Sequence, residues 1–335
     1  MLRQRDEAQG SEAAAVVRLN LVHVVGRPLA ADAAGSLRPA EPVLLRIEDG
    51  RVASCTPLAG LHAGRGVPGE TLGDPDALLL PALSDSHVHL VACAAEREAV
   101  DVATPRPASV AEILARLASA ARGRPADAWL RATGYDEAWL AERRHPTLAQ
   151  LDAAVPHRPL RVRHATRHAS LLNSAARARL ERALGGLDDA RAPRDAAGER
   201  LGVVHGLEPE ITRVVGPLDE DAITRGLRAV GDELARHGVV AVDEVTASND
   251  ATRVALLAGA VASGALPQRV RVYVRDADDV EPARVAAAGR VEVAGVKLLA
   301  RSSEEARTPE FRSAVARARR RGVPVAVHAV EADVV

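Results

Sequence analysis

Leu78-Leu79-Leu80-Pro81-Ala82-Leu83-Ser84-Asp85-Ser86-His87-Val88-His89-Leu90 is the stretch from which the fold is read. The apolar run 78–80 has the composition of a buried strand. His87 and His89 follow, two residues apart. Residues i and i+2 of a strand share a face, so both imidazoles are expected to point the same way. In a parallel α/β barrel, the C-terminal strand ends carry the chemistry. Two neutral imidazoles on one face make half of a divalent-metal site, with zinc the natural occupant.

Composition narrows the alternatives. The chain has 335 residues, 47% of them hydrophobic, so a sizeable core is expected. With one Phe, two Tyr and two Trp, that core must be built from Ala, Val and Leu. A net charge of −1 argues against nucleic acid or an anionic membrane as partner. No apolar run approaches the roughly 20 residues of a membrane span. The polar first 14 residues lack the apolar centre of an export signal. Cys55 and Cys93 are too few for a disulfide framework, and a reducing cytoplasm fits. Lys297 is the single lysine among 44 basic residues, and it lies in the apolar run Val-Ala-Gly-Val-Lys-Leu-Leu. A primary amine can shift its pKa or react with carbon dioxide, which a guanidinium cannot.

Residues 16–56 alternate as strands, with Glu48-Asp49-Gly50-Arg51 as a hairpin turn. Residues 91–237 break the simple strand–helix rhythm. Within them, Ser109 and Glu112 predict a capping box opening a helix over 110–121. Segments 99–102, 129–135 and 160–164 read as short strands. Asp219 caps an amphipathic helix with Ile223, Leu227, Val230 and Leu234 on one face, stopping at His237-Gly238. From Val239 onward, strands at 239–242, 270–274, 293–299 and 324–330 alternate with helices, the pattern of a parallel sheet. Asp243 ends the first of these strands, Lys297 lies on the third and His328 on the fourth. A Gly-x-Gly-x-x-Gly after a strand is missing, and Gly64–Gly69 lacks the ending of a phosphate loop.

Residues 81–90 resemble the first-strand signature of the metal-dependent amidohydrolases, Pro-Gly-x-x-Asp-x-His-x-His, with Ala82 at the usual glycine. Other stretches resemble amidohydrolase family 3, the branch containing the N-substituted formamide deformylases. They are Gly134-Tyr135-Asp136-Glu137, the run Pro146-Thr147, Leu151-Asp152 and Pro159, and the run His168-Ala169 with Leu172-Asn173-Ser174-Ala175. The resemblance implies an α/β chain: a tail over 1–15, a small β-sandwich over 16–77, and a TIM-like (β/α) barrel over 78–335 with an insertion after its first strand at about 91–237. It implies His87, His89, Lys297 and His328 as ligands of one or two divalent metal ions, with Lys297 carbamylated in two-metal members. The metal would polarise a scissile carbonyl and acidify a bound water, and the reaction implied is hydrolysis of a non-peptide C–N bond in a small molecule. Asp85 and Lys297 are the candidate catalytic residues, with Asp85 either orienting a histidine or capping the strand end. His164, His168 and Asp243 are candidate substrate contacts. His23, His62, His145, His157, His205 and His237 are read as structural or surface histidines.

Two departures are visible. After Lys297 the family usually continues Leu-x-x-Asp-Gly-Ser, whereas this chain reads Leu-Leu-Ala-Arg-Ser-Ser-Glu. The family also has a ligand histidine on strand six and a catalytic aspartate on strand eight, and this chain stops soon after His328. Setting the insertion aside, residues 78–335 leave room for four to five βα units at roughly 30 residues each. The barrel is therefore expected to be partial and C-terminally truncated, with an open edge through which copies could associate as a homo-oligomer. The second expectation is a metal- or ligand-binding α/β protein without catalysis.

Overall fold

Strand β1 (Leu21–Ala31) organises the first of two units, which divide at Ala82–Leu83. β2 (Leu37–Pro39), β3 (Val43–Glu48), β4 (Arg51–Pro57) and β5 (Thr71–Leu79) complete one five-stranded mixed sheet. β2 and β3 pair antiparallel with β1, and β5 pairs parallel with it. The β3–β4 turn is where the sequence places it. Asp49 and Gly50 both take positive φ, 50° and 74°, the backbone a tight two-residue hairpin needs. The computed structural model describes residues 21–32, 34–60, 71–123, 125, 127–188, 190–300 and 302–329. The tail expected over 1–15, His62 and the whole 64–69 segment lie outside the described residues, as does Val330.

The run 78–80 differs from its sequence reading. Leu79 ends β5, where it pairs with Pro28 of β1, and Leu78 and Leu80 are 53% and 57% exposed. Pro81, with no N–H to give a sheet, separates this strand from the one that carries the histidines.

That next strand is β6 (Leu83–Val88), followed by α1 (Leu90–Arg97). The chain then builds a separate sheet. Its elements are β7 (Val100–Asp101), α2 (Val110–Ala121), β8 (Leu130–Tyr135), α3 (Leu148–Ala154), β9 (Leu160–His164), β10 (Ala169–Leu172), α4 (Ser174–Leu184), β11 (Val203–His205) and α5 (Glu208–Val215). The strand order is β11-β10-β9-β8-β7; β7, β8 and β9 run parallel, and β10 and β11 are antiparallel additions. Alternation buries Leu130, Leu160 and Val162 against Ile113 and Leu117 of α2 and Leu151 of α3. Ser109 caps α2 as expected, but the Glu112 side chain takes the N–H of Ala108 instead of that of Ser109. The reciprocal capping box lies at α3, where Thr147 and Gln150 each bond the other's backbone N–H.

The chain returns through α6 (Glu220–Arg236) into β12 (Val239–Glu244), α7 (Ala251–Ala262), β13 (Arg269–Val274), α8 (Val280–Ala286), β14 (Val291–Ala300), α9 (Ser303–Arg307), α10 (Pro309–Arg320) and β15 (Val325–Ala329). All neighbours in the sheet β15-β14-β13-β12-β6 are parallel. Val270, Val272 and Val274 alternate with Arg269, Arg271 and Tyr273. The valines join Leu227, Leu257 and Val280 in a core on the helical side. The opposite face of the sheet is left for polar groups. Among the described residues, β6 and β15 are its two edges, and no helix is long and apolar enough to cross a membrane.

α1 lies against α6 at unusually close range. A Cβ on Gly226 would stand 2.3 Å from the carbonyl oxygen of Ala94. Gly226→Ala gains helix propensity of roughly 1 kcal/mol but must push one backbone off another. The expected net effect is a loss of about 1–2 kcal/mol, read as a lowered denaturation midpoint; an unchanged or raised midpoint contradicts the close-approach account.

Candidate metal centre

The cleft at the C-terminal end of the parallel sheet is built from four strands and the loop after β12. His87, His89, Val245, Lys297, Leu299 and His328 border an open hollow of about 490 Å³. His87, Tyr273, Lys297 and His328 also border an adjoining hollow of about 370 Å³. All four residues read from sequence as metal ligands thus face one space. The reason is register. Lys297 and Leu299 alternate with Val296 and Leu298, which belong to the helical-side core. β15 brings His328 beside Leu299.

His89 is the most constrained of the four. Its ring centroid is 5.4 Å from that of His87, edge to face. It sits at the N-cap of α1, yet its side chain caps nothing. Glu244, fully buried at the end of β12, takes the N–H of Leu90 instead, and also those of Thr246 and the Asn249 amide. A carboxylate at a helix N-terminus satisfies an otherwise orphaned donor and the positive end of the helix dipole. His89 is thereby released from capping, and its Nδ1 lies 2.9 Å from Thr246 Oγ1. With Nδ1–H donating to that hydroxyl, Nε2 keeps its lone pair for a ligand, the usual arrangement of metal-binding histidines. Burial pushes the His89 imidazole below its ordinary pKa, opposed by the Glu244 charge. The neutral, ligating form is favoured.

Lys297 is 5% exposed, and burial pushes its ammonium below the ordinary lysine range. No counter-ion stands beside it among the described residues. An amine so placed favours its neutral form, the form that adds to carbon dioxide or donates to a metal. Three imidazoles and one such amine are a donor set suited to zinc.

The other candidates lie apart from this cleft. Asp85 Oδ1 accepts from the His87 backbone N–H at 2.9 Å, so it fixes the strand end and does not orient a ring. Asp243 points away from Glu244 by strand alternation and pairs with Arg271 at 3.2 Å. His164 ends β9 inside the inserted sheet, bonded to Glu137 and Thr166. The His168 side chain is exposed in the loop that follows, and its carbonyl accepts from Gly206. Sequence reading passed over Glu244 and Thr246. The signal for Glu244 was the alternation itself, since two residues beyond core-facing Val242 a side chain returns to the helical side. If Thr246 positions His89, Thr246→Val weakens Zn2+ binding by about 10–100-fold, measured by calorimetric titration, whereas an unchanged affinity removes it from that role.

Comparison with known proteins follows the same lines. Residues 76–335 match the sequence profile of the amidohydrolase family. The chain is 28% identical over 130 residues to an N-substituted formamide deformylase of Arthrobacter pascens, a match spanning 39% of this chain and 24% of that protein. It is similar to solved uncharacterized metal-dependent hydrolases of Pyrococcus horikoshii OT3 and Pyrococcus furiosus. Both are 20% identical, with TM-scores of 0.61 and 0.62. Each alignment covers 92% of this chain, and 65% and 67% of the respective structures. At that identity the likeness is one of fold. With the family profile covering most of its length, the chain belongs to the amidohydrolase family.

Proposed function

We propose that the protein is a metal-dependent hydrolase of non-peptide C–N bonds, with small amides of the N-substituted formamide type as its substrate class. The observation that carries this reading is the meeting of His87, His89, Lys297 and His328 around one cleft at the C-terminal end of a parallel sheet. A divalent metal bound there, zinc by donor type, supplies Lewis acidity toward a carbonyl oxygen and a water acidified toward neutral pH. His87, His89 and His328 serve as neutral ligands. Thr246 holds the His89 ring, Glu244 holds the turn behind it, and Asp85 holds the backbone of His87. The amine of Lys297 would add to carbon dioxide with release of a proton, and the resulting carbamate would join the histidines in holding the metal. The net reaction adds water across the amide carbonyl and breaks its C–N bond, giving a carboxylate and an amine. The similarity to a formamide deformylase supports the choice of substrate.

The domain organisation follows the same proposal. Residues 16–77, within the first unit, are read as the β-sandwich module, of which the described residues form one five-stranded sheet. From Leu83 onward the parallel strands are read as those of a TIM-like barrel, with 91–237 inserted after its first strand as a cover. A cytoplasmic location fits the free Cys55 and Cys93. The second reading, a metal- or ligand-binding protein without turnover, is favoured by one observation: β6 and β15 are unjoined edges among the described residues.

One experiment separates these readings. The protein is stripped with chelator, reloaded with Zn2+ in bicarbonate, and given N-alkylformamides while bound metal and released formate are measured. The hydrolase reading expects bound zinc, formate release, and loss of at least about 10³-fold in rate in His87→Ala and His89→Ala. Zinc bound at these residues without formate release favours the second reading. A zinc stoichiometry unchanged by removal of both histidines, or no bound zinc at all, overturns both.

A further inference from the structure

A second cluster of ligating groups lies in the inserted sheet, outside the cleft. It grows from the motif Gly134-Tyr135-Asp136-Glu137 at the end of β8. Gly134 holds φ at 99°, and a Cβ there would stand 2.8 Å from that of Ala103. The strand can therefore turn at once, delivering Asp136 and Glu137 to the end of the neighbouring strand β9. His164 ends that strand, 91% of its side chain buried. Its Nε2 lies 2.8 Å from Glu137 Oε2 and 3.8 Å from Asp136 Oδ1. The ligand atoms of Asp136, Glu137 and His164 all lie within 4.8 Å of one another. His145 Nδ1 approaches the same Glu137 oxygen at 3.5 Å, and Asp136 Oδ1 also accepts the Ala138 N–H.

Two further observations set this cluster apart from an ordinary ion pair. The first is charge. Several half-buried carboxylates elsewhere in this arginine-rich unit are met by guanidinium groups: Asp276 by Arg317, Glu208 by Arg161, Glu98 by Arg225. The ion-pairing neighbours of Asp136 and Glu137 among the described residues are imidazoles alone. The second is support for the ring. His164 Nδ1 lies 2.8 Å from Thr166 Oγ1, as His89 Nδ1 does from Thr246 Oγ1 at 2.9 Å, though here Nδ1 also accepts the Thr166 N–H. An outer hydroxyl that can accept Nδ1–H is what a histidine ligating through Nε2 requires.

We propose that Asp136, Glu137 and His164 form a second divalent-metal site, for an ion of the zinc class, with His145 or water completing it. Bonds of about 2.0–2.2 Å to a tetrahedral ion place ligand atoms about 3.3 Å apart, so the distances from His164 Nε2 to Glu137 and Asp136 change by about half an ångström. In the metal-free ring the Thr166 N–H reaches Nδ1 at 3.1 Å, which puts the ring proton on Nε2, facing Glu137. On loading, the metal takes the Nε2 lone pair and the proton passes to Nδ1, which donates it to Thr166 Oγ1. The ring stays neutral and keeps its proton count. The site pins the loop 164–168. Arg167 of that loop, in the left-handed region at φ 63°, bonds Glu96 on α1, the helix that starts after His89. Metal here would fasten the inserted sheet to the helix that carries the first cleft.

The test uses the full 335-residue chain and Co2+ or Zn2+ alone. In a His87→Ala/His89→Ala background, which disables the first site, about one equivalent of Co2+ is expected to bind with a visible d–d spectrum. Adding Glu137→Gln or His164→Ala should weaken that binding at least about tenfold. Zero equivalents in the background, or binding indifferent to both substitutions, overturns the site. A measurement on the unsubstituted chain guards against misfolded variants. Imidazole 15N spectra should show His164 passing from the Nε2–H to the Nδ1–H tautomer as Zn2+ is added. Retention of Nε2–H at saturating Zn2+ means a His164–Glu137 hydrogen bond only, and ends the proposal. Because the first cleft is read through His87 and His89, its failure and the failure of this site register separately.

Discussion

The buried carboxylate of Glu244 is the interaction on which the cleft depends. It accepts from the first N–H of α1, from the N–H of Thr246 and from the Asn249 side chain. Asn249 in turn bonds the Tyr273 carbonyl on the next strand. One side chain therefore joins the ends of β6, β12 and β13. Each buried donor left without a partner costs about 1–3 kcal/mol, so the group is held by several mutually dependent bonds. Because it caps α1, His89 need not. A residue at a helix N-cap is free to serve the cleft only when another residue takes over the cap.

The sheet that presents the cleft is two-sided in chemistry. Its helical side is a Val, Leu and Ala core of the kind an aromatic-poor chain can build. Its other side carries Asp243, Arg271 and Glu292 as a cross-strand ion row and, nearer the strand ends, Lys297 and the histidines. Arginine fills nearly every cationic role in this chain, through planar hydrogen-bonded pairs. Lys297 stands where no carboxylate meets it among the described residues, and where a titratable amine differs most from a guanidinium.

The inserted sheet repeats the same construction on a smaller scale. Parallel strands end in polar residues, a glycine permits the turn, and a threonine hydroxyl meets a histidine Nδ1. Its own apolar core, between β8–β10 and helices α2 and α3, makes it a self-supporting body and not a long loop. Its ties to the parallel sheet include α1, by way of Glu96 with Arg163 and Arg167.

Local chemistry alone determined much of this. Period-two alternation located most of the strands, caps at Ser109 and Asp219 located helices, and His87-Val88-His89 with the lone Lys297 marked the cleft. Those signals are short-range, so they are legible in a linear string. The run 78–80 misled because three leucines carry composition without periodicity, and only pairing with β1 shows which sheet they join. The partners of His89 were hidden for a related reason. Thr246 lies 157 residues away in sequence, and the choice between Asp243 and Glu244 turns on which face of β12 each occupies. The same holds for Asp136, Glu137 and His164, which meet because β8 and β9 are parallel neighbours ending at one level. Periodicity and caps are properties of neighbouring residues, whereas register between strands and the approach of a helix end to a carboxylate exist only once the chain has packed.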